Sequence, residues 1–307
     1  MGLPKAFLMT LSGSAPPPVA APDLFPVLWS LPTGAPPCGV ALARESGQLL
    51  AWDENHWLYL LNVRGARQAQ ARPLGALAAA GLADDGSAVA VAGPRGEVAR
   101  LAPDLTPRWQ GALRHPAVAV ALDPFGRRLA VSDARGGLFL FDRNGRPLWQ
   151  AQQPRPLHHL AFVPEAPFLL GAADFGLVVC LDVAAGRVVW RDGLPAHCGA
   201  LAVSGDGEHG VLACFSDGLR RCTSAGGLKG HVTTREPCRL AALSFDGRRA
   251  LVAGRANRLL LLDTGGRVLG IHLLERPAVA LALAALGERA VVALTDGGVR
   301  ALDLRPR

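Results

Sequence analysis

Cysteine and histidine residues recur in this chain at intervals close to multiples of 40 residues. The group consists of Cys38, His158, His159, His197, Cys198 and Cys238. Thiolate and imidazole are ligands that suit zinc and copper. No two cysteines have the CxxC spacing of a zinc knuckle or a redox motif, so a metal site would require the fold to bring these side chains together. The alternative is that the cysteines are small core residues on strands.

A second group of candidate residues is cationic and lies in connections between the predicted elements. It consists of Arg72, Arg114, His115, Arg155, Arg235 and Arg276. Three of the arginines precede a proline, which restricts the preceding residue to extended conformations and so partly fixes its direction. Such guanidinium groups could bind a carboxylate or a phosphate through two parallel hydrogen bonds. The alternative is ordinary solvated loop charge, because all but two of the 32 Lys and Arg residues are arginine.

The elements that must position both groups belong to an internal repeat. The segment GGLFLFDRNGRPLWQ (136–150) predicts a strand, a tight turn at Asn144-Gly145 and a second strand, and similar segments occur at 176–190 and 259–270. With Asp142 as the anchor, equivalent positions follow at steps of 40 residues with one step of 41. They are Asn62, Ala102, Asp142, Asp182, Cys222, Asp263 and Asp303. Copies of a hairpin must pack on one another, because a single hairpin cannot bury its apolar face.

Each repeat divides into four short strands, and seven repeats are present. This arithmetic predicts an all-β fold, a seven-bladed β-propeller of four-stranded antiparallel blades. The last copy reaches only its third strand, while residues 25–32 have the spacing of a fourth strand, since Trp29 precedes Pro36 as Trp109 precedes Pro116. We therefore expect the N-terminal strand to complete the C-terminal blade. The predicted domain spans residues 24–307 and follows a flexible Pro/Ala-rich tail at residues 1–23.

The segments GGLFLFDRNGRPLW and GLVVCLDVAAGRVVW resemble the quinoprotein (PQQ)-like propeller repeat, in which a strand ends in Asp and a turn is followed by Trp. The repeat length and the Asp-Gly turns at 85–86, 206–207 and 246–247 are similar to those of bacterial WD-repeat propellers. The resemblance covers residues 24–307 and implies blades rather than a ligand. Quinoprotein dehydrogenases have eight blades and an adjacent Cys-Cys pair, which this chain lacks, so no cofactor is expected. The similar outer-membrane assembly lipoproteins carry a lipobox cysteine, which is also lacking.

Composition narrows the possible functions. Half of the residues are apolar and 19% are charged, which excludes a disordered chain. The net charge of +7 permits an anionic partner, but a single tyrosine and 6% aromatic residues argue against a nucleic-acid-binding surface. The sequence contains no GxSxG elbow. The adjacent Asp84 and Asp85 are interpreted as turn formers before Gly86 rather than as a catalytic carboxylate pair.

The resulting hypothesis is a non-catalytic protein-interaction module or scaffold subunit. It would dock an acidic segment of a partner on the face that carries the connections from one blade to the next, as a monomeric propeller within a larger complex. The alternative is a propeller enzyme of hydrolase, lyase or quinoprotein-like oxidoreductase type. A cytoplasmic location is expected, with export as the alternative, because the apolar run near Lys5 is short for a signal peptide.

Overall fold

Short strands alternate with turns in which glycine takes a backbone conformation that other residues rarely adopt. The computed structural model describes residues 25–232, 234, 237–254, 257–295 and 297–305, and in these it has 28 strands and no helix. The predicted turn glycines all have φ between 60° and 76°, and they are Gly47, Gly86, Gly126, Gly207, Gly247 and Gly287. A Cβ is unfavourable at such angles, which explains why glycine recurs at this repeat position.

The strands follow one another with short connections. In chain order they are β1 (Val27–Pro32), β2 (Pro37–Leu42), β3 (Leu49–Asp53), β4 (Leu58–Leu61), β5 (Arg67–Ala71), β6 (Ala79–Leu82), β7 (Val89–Ala92), β8 (Glu97–Leu101), β9 (Pro107–Ala112), β10 (Ala117–Leu122), β11 (Arg128–Asp133), β12 (Gly137–Asp142), β13 (Pro147–Gln152), β14 (His159–Phe162), β15 (Phe168–Ala172), β16 (Val178–Asp182), β17 (Val188–Asp192), β18 (Cys198–Val203), β19 (Gly210–Cys214), β20 (Gly218–Thr223), β21 (Gly227–Val232), β22 (Cys238–Leu243), β23 (Arg249–Gly254), β24 (Arg258–Asp263), β25 (Val268–Leu273), β26 (Ala278–Leu283), β27 (Arg289–Leu294) and β28 (Gly298–Asp303).

These strands form seven antiparallel sheets of four strands, numbered here as blades 1 to 7 from β2–β5 onward. Within each blade the strands are called a to d from the channel outward. Six blades use four consecutive strands, and blade 7 has the order β26-β27-β28-β1. In that blade Trp29 lies opposite Ala301, and Val27 lies opposite Leu302. The predicted fold and its closure by the N-terminal strand are confirmed, and pairing β1 with β28 covers an edge that would otherwise be open to association.

The register corrects one anchor position of the repeat. Cys222 pairs with Gly210, one residue short of the position that Asp142 and Asp182 hold opposite Arg128 and Phe168. The equivalent residue is Thr223, whose hydroxyl accepts the N–H of Gly226, as the carboxylate of Asp182 accepts that of Ala185. The additional residue of the 41-residue step lies in the c–d turn of blade 4, where the main-chain N–H of Asp182 binds the oxygen of Arg187, five residues on, whereas that of Asp142 binds the oxygen of Arg146, four residues on.

The core lies between the blades. The buried apolar residues form seven clusters in the described part of the chain, and each cluster joins two neighbouring blades. One of them combines Leu138 and Leu140 of blade 3 with Leu169 and Leu181 of blade 4, all fully buried. Burying each such side chain contributes roughly 1.5–3 kcal/mol relative to exposure. Since each blade buries its apolar face only against a neighbour, the ring is the stable unit.

Strand alternation assigns every connection to one of two faces. The b–c connections and the connections from strand d to the next strand a lie on what we call the upper face, and the a–b and c–d turns lie on the lower face. The predicted tail at residues 1–23 lies outside the described residues. In the part of the chain that the structure describes, no helix could span a membrane.

Candidate interaction site

The central channel is lined by the seven inner strands and is almost wholly apolar. Ala, Val, Leu, Gly and Phe side chains surround a cavity of about 330 Å³. At its upper end the channel widens into a larger space of about 580 Å³, which we call the vestibule. Its walls include Cys38, Trp52, Leu77, Val118, His158 and His159. A mouth of this size can accept a side chain or a short segment of a partner.

Trp52 gives the vestibule its shape. The residues that occupy its repeat position in the other six blades are all small: Ala92, Ser132, Ala172, Ala213, Ala253 and Ala293. Trp52 lies directly opposite Gly39, and a Cβ on Gly39 would overlap the indole ring. Trp52 and Gly39 therefore form a matched pair that places a half-buried aromatic side chain at the upper mouth of the channel.

The predicted cationic residues that the structure describes lie on the same face as the vestibule and outside its walls. Arg72, Arg114, Arg155 and Arg276 are exposed on four d-to-a connections, and none of them is among the residues that line the vestibule. His115, the predicted histidine of the group, is half-buried. Arg235 lies outside the described residues. We call the four exposed arginines the Arg collar.

Two members of the Arg collar contact their own surroundings. Arg72 donates from Nη2 to the main-chain oxygen of Gly75 at 3.1 Å. The guanidinium of Arg155 lies beside the b–c turn, where its Nε would be 3.3 Å from a Cβ on Gly176. Among the described residues, no carboxylate forms an ion pair with any of the four. Their charges are therefore available to a partner.

The cysteine and histidine group is only partly brought together. Cys38, His158 and His159 share the vestibule, whereas His197 is exposed and its ring packs 5.1 Å from that of Phe175. No group of three His, Cys, Asp or Glu residues is arranged to hold a metal ion in the described part of the chain. The geometry therefore gives the metal hypothesis no support.

The contacts of these residues are those of packed side chains. His158 Nδ1 lies 3.3 Å from a carboxylate oxygen of Asp174, and His159 Nε2 lies 3.2 Å from the main-chain oxygen of Cys198. Burial is the main cause that lowers the pKa of His159, and burial raises the pKa of the Cys198 thiol to about 12. Cys238 is buried and its sulfur lies 3.1 Å from the hydroxyl of Thr234. A thiol with so high a pKa does not provide a thiolate near neutral pH.

The lower end of the channel is closed by a contact that sequence reasoning missed. Arg44, on the a–b turn of blade 1, donates from Nη2 to Oδ2 of Asp84 in blade 2 at 2.7 Å and from Nε to Oδ1 at 3.1 Å. It also donates from Nη1 to the main-chain oxygen of Val203 in blade 5 at 3.2 Å. Its guanidinium lies 5.3 Å from the ring centre of Phe245 in blade 6. One side chain thus joins four blades across the channel axis.

A signal for this contact was present in the sequence. Arg44 and Asp84 lie 40 residues apart at one repeat position, where blades 3 and 4 have Pro124 and Pro164. Opposite charges at the same repeat position of adjacent blades indicate an ion pair between those blades, close to the channel axis. The interpretation of Asp85 as a turn former is confirmed, because its carboxylate accepts the N–H of Ser87. The same interpretation of Asp84 was incomplete, since its carboxylate also binds Arg44.

The aspartates at the ends of the c strands are turn anchors, as predicted. The carboxylate of Asp142 accepts the N–H groups of Asn144 at 2.8 Å and Arg146 at 2.9 Å. These hydrogen bonds lower the pKa of Asp142, and the one from Arg146 has the largest effect. Asp263 makes the same contacts with Arg267, which lower its pKa in the same way. These carboxylates serve the turns and are not part of a site.

Comparison with known proteins agrees with this architecture. A family model described as outer membrane protein assembly factor BamB matches residues 141–272, less than half of the chain. The chain is a β-propeller, and residues 141–272 of it match a model of PQQ-like repeats. No curated protein matches this propeller. Among solved structures, the β-propeller domain of Cps50 (Swd1) from Myceliophteria thermophila superposes with a TM-score of 0.78, covering 92% of this chain and 100% of that domain at 10% identity. At that identity the likeness shows the shared fold alone.

Proposed function

We propose that this propeller is a non-catalytic interaction module that binds an acidic segment of a partner protein on its upper face. The observation that carries the proposal is the Arg collar on the same face as a vestibule of about 580 Å³, whose walls combine Trp52, Leu77 and Val118 with Cys38, His158 and His159. An aromatic or aliphatic side chain would enter the vestibule beside Trp52, while carboxylates on either side of it would meet the arginines. The matched family model is named for an assembly factor, and a binding role is consistent with that name.

Several carboxylates of the upper face are already neutralised by neighbouring cations. Glu97 pairs with Arg95 at 2.7 Å, Asp217 pairs with Arg220, and Glu275 pairs with Arg300 at 3.1 Å. The arginines of the collar have no such ion pair among the described residues, so they are cations that an approaching anionic segment could meet. Complementary charge of this kind accelerates association and fixes the orientation of the partner. The enzyme alternative stays a prediction that no contact described above favours.

The test compares two triple variants with the same loss of charge. Arg114→Ala/Arg155→Ala/Arg276→Ala removes three arginines of the collar. The matched control replaces Arg64, Arg143 and Arg187, which are exposed on the c–d turns of the lower face. The probe is a fluorescein-labelled peptide of about twelve residues, rich in Glu and Asp with one central Trp, and its binding is followed by fluorescence anisotropy at low and physiological salt.

We expect the collar variant to bind the peptide at least tenfold more weakly, because three rim charges contribute about 0.5–1 kcal/mol each. The control should remain within about twofold of the unmodified protein. Equal losses in both variants would show that only net charge matters and would refute the proposal. Tighter binding of a duplex DNA of about 20 base pairs than of the peptide would also refute it.

The wild-type chain and the two variants then serve as baits in affinity purification with mass spectrometry. A partner that is retained by the control and lost by the collar variant identifies the bound protein. The cytoplasmic location is part of the same proposal and is tested by fractionating cells that produce the full chain with a C-terminal tag.

A further inference from the structure

Tryptophans on the outer strands connect each blade to the following one. Trp29, Trp149 and Trp190 donate their indole N–H to main-chain oxygens in the c–d turn of the next blade, at 3.3, 2.8 and 2.7 Å. The indole rings of Trp29 and Trp149 also fill the space above a glycine of that turn. A Cβ on Gly65 would lie 2.5 Å from Trp29, and one on Gly186 would lie 2.7 Å from Trp149. At these two junctions tryptophan on one blade is thus matched by glycine on the next.

Two junctions lack the tryptophan and have a substitute. In blade 1 the position is occupied by Ala69, and the facing turn has Leu105 instead of glycine. Leu105 keeps the positive φ of 64° and is 2% exposed, so its side chain fills the space from the opposite side. In blade 6 the position is Gly270, and the ring of Phe25 packs onto it, 3.0 Å from where a Cβ would lie.

At the junction between blades 5 and 6 the substitute is smaller than a tryptophan. Gly230 occupies the tryptophan position and Gly266 the turn position, and a Cβ on Gly266 would lie 2.5 Å from Val232, which takes the place of the indole. A cavity of about 280 Å³ remains beside Val232, which we call the 5–6 cleft. The residues lining it include Val211, Leu219, Leu262, Glu208, Arg221 and Lys229.

The chemistry of the 5–6 cleft differs between its wall and its rim. The wall is formed by the buried side chains of Val211, Leu219 and Leu262, whereas Arg221 and Lys229 are exposed. Apolar walls between two sheets accept a flat ring, and cations at the rim accept an anion attached to that ring.

Most polar groups of the 5–6 cleft already form hydrogen bonds within the protein. Arg221 Nη1 donates at 3.0 Å to the main-chain oxygen of Thr264, which corresponds to the oxygens that accept an indole N–H at other junctions. The carboxylate of Asp263 accepts both the main-chain N–H and Nε of Arg267, at 2.9 and 3.2 Å. The carboxylate of Glu208 is exposed at the rim.

We propose that the 5–6 cleft binds a small planar aromatic acid of about the size of an indole carboxylate. The ring would lie between the blades beside Val232, in the space that this smaller side chain leaves, and the carboxylate would pair with Arg221 and Lys229. The cleft opens at the lower, outer part of the propeller, so this site is separate from the upper face and does not depend on the function proposed for it.

The experiment is a titration of the full chain with indole-3-acetate and, separately, with indole, followed by isothermal calorimetry and saturation-transfer NMR. Ligands of this size bind with dissociation constants of about 1 mM when well seated. We expect the acid to bind about tenfold more tightly than neutral indole, because a charge-assisted contact with Arg221 is available only to the acid.

Two variants test the placement. Val232→Phe fills the cleft and should abolish binding of both ligands. Arg221→Ala removes the cation and frees the oxygen of Thr264 for an indole N–H, so the preference for the acid should disappear or invert. The matched control is Arg100→Ala, since Arg100 lies opposite Trp109 as Arg221 lies opposite Gly230, and it should bind like the unmodified chain.

Circular dichroism establishes that each variant is folded before it is titrated. No saturable binding of indole-3-acetate up to about 10 mM would overturn the proposal. Unchanged binding by a folded Val232→Phe variant would overturn it as well, because the ligand would then lie elsewhere. An equal effect of Arg100→Ala and Arg221→Ala would show that the acid responds only to net charge, with the same consequence.

Discussion

The contact between Arg44 and Asp84 should contribute measurably to the stability of the whole ring. Their side chains are only 17% and 16% exposed, and three hydrogen bonds join them, two from Nε and one from Nη2 of Arg44. Exposed ion pairs contribute about 0.2–1 kcal/mol, whereas breaking a buried pair costs about 3–5 kcal/mol. For this intermediate exposure we expect a coupling free energy of about 2 kcal/mol between the two side chains.

The assay is a double-mutant cycle with Arg44→Met, Asp84→Ala and the double variant, measured by urea unfolding at 25 °C. Each single change should be nearly as costly as both together, because it leaves one charge half-buried without its partner. Arg44→Met should be the more costly single change, because it also removes the hydrogen bond to Val203 and the contact with Phe245.

A matched control is the pair between Arg248 and Asp246 on the same face, 4.0 Å apart, in which the arginine side chain is 84% exposed. Its coupling should be below about 0.5 kcal/mol. If the coupling between Arg44 and Asp84 were equally small, the contact would be an ordinary surface pair. The claim that one side chain joins four blades across the channel would then be wrong.

Three further outcomes are expected. Alkylation of the native chain at about pH 8 should modify Cys38 alone, because the other five cysteines are buried, and unfolding should make all six reactive. Trp149→Phe should lower stability by about 1 kcal/mol more than Trp109→Phe in thermal unfolding, because only the first removes an indole hydrogen bond, whereas the Trp109 Nε1 has no acceptor among the described residues. Burial is the main cause that lowers the pKa of His272 below its usual 6.5, and the charge of Arg300 is the second. Nδ1 of His272 accepts the main-chain N–H of Phe25. As the pH falls, His272 is protonated in the unfolded chain before it is protonated in the folded chain. The stability that neutral His272 contributes is therefore complete above pH 6.5 and is lost as the pH falls through its folded-state pKa. His272→Gln should thus reduce the loss of stability between about pH 7 and 5. Equal labelling of buried cysteines, equal costs for the two tryptophans, or an unchanged pH profile would contradict the respective expectation.

The repeat made the architecture predictable from the sequence. Alternating apolar residues, turn glycines such as Gly126 and the 40-residue step all carry local information, because a strand or a turn depends on its immediate neighbours. The closing strand was predictable for the same reason, since Trp29 keeps the spacing of the other d strands. The one error of register, Cys222 instead of Thr223, arose because the position of an inserted residue is fixed by pairing between strands rather than by the count along one.

The candidate sites were less predictable because they depend on residues from several blades. The sequence placed the collar arginines on one face, but only the tertiary structure shows that a vestibule opens on that face and that its walls do not include them. In the sequence, Trp52 is the one large residue at a repeat position where the other blades have small residues. Its position over Gly39, however, follows from the pairing of β2 with β3.

By itself, the sequence determined seven alike units, their strands and turns, and the way the ring closes, because these follow from periodicity and backbone preference. Only the tertiary structure decided that Arg44 reaches across the axis to Val203, and that Val232 stands over Gly266 where other junctions have an indole and leaves a cleft. Both depend on distances between side chains that are far apart in the chain, and no local pattern specifies such a distance.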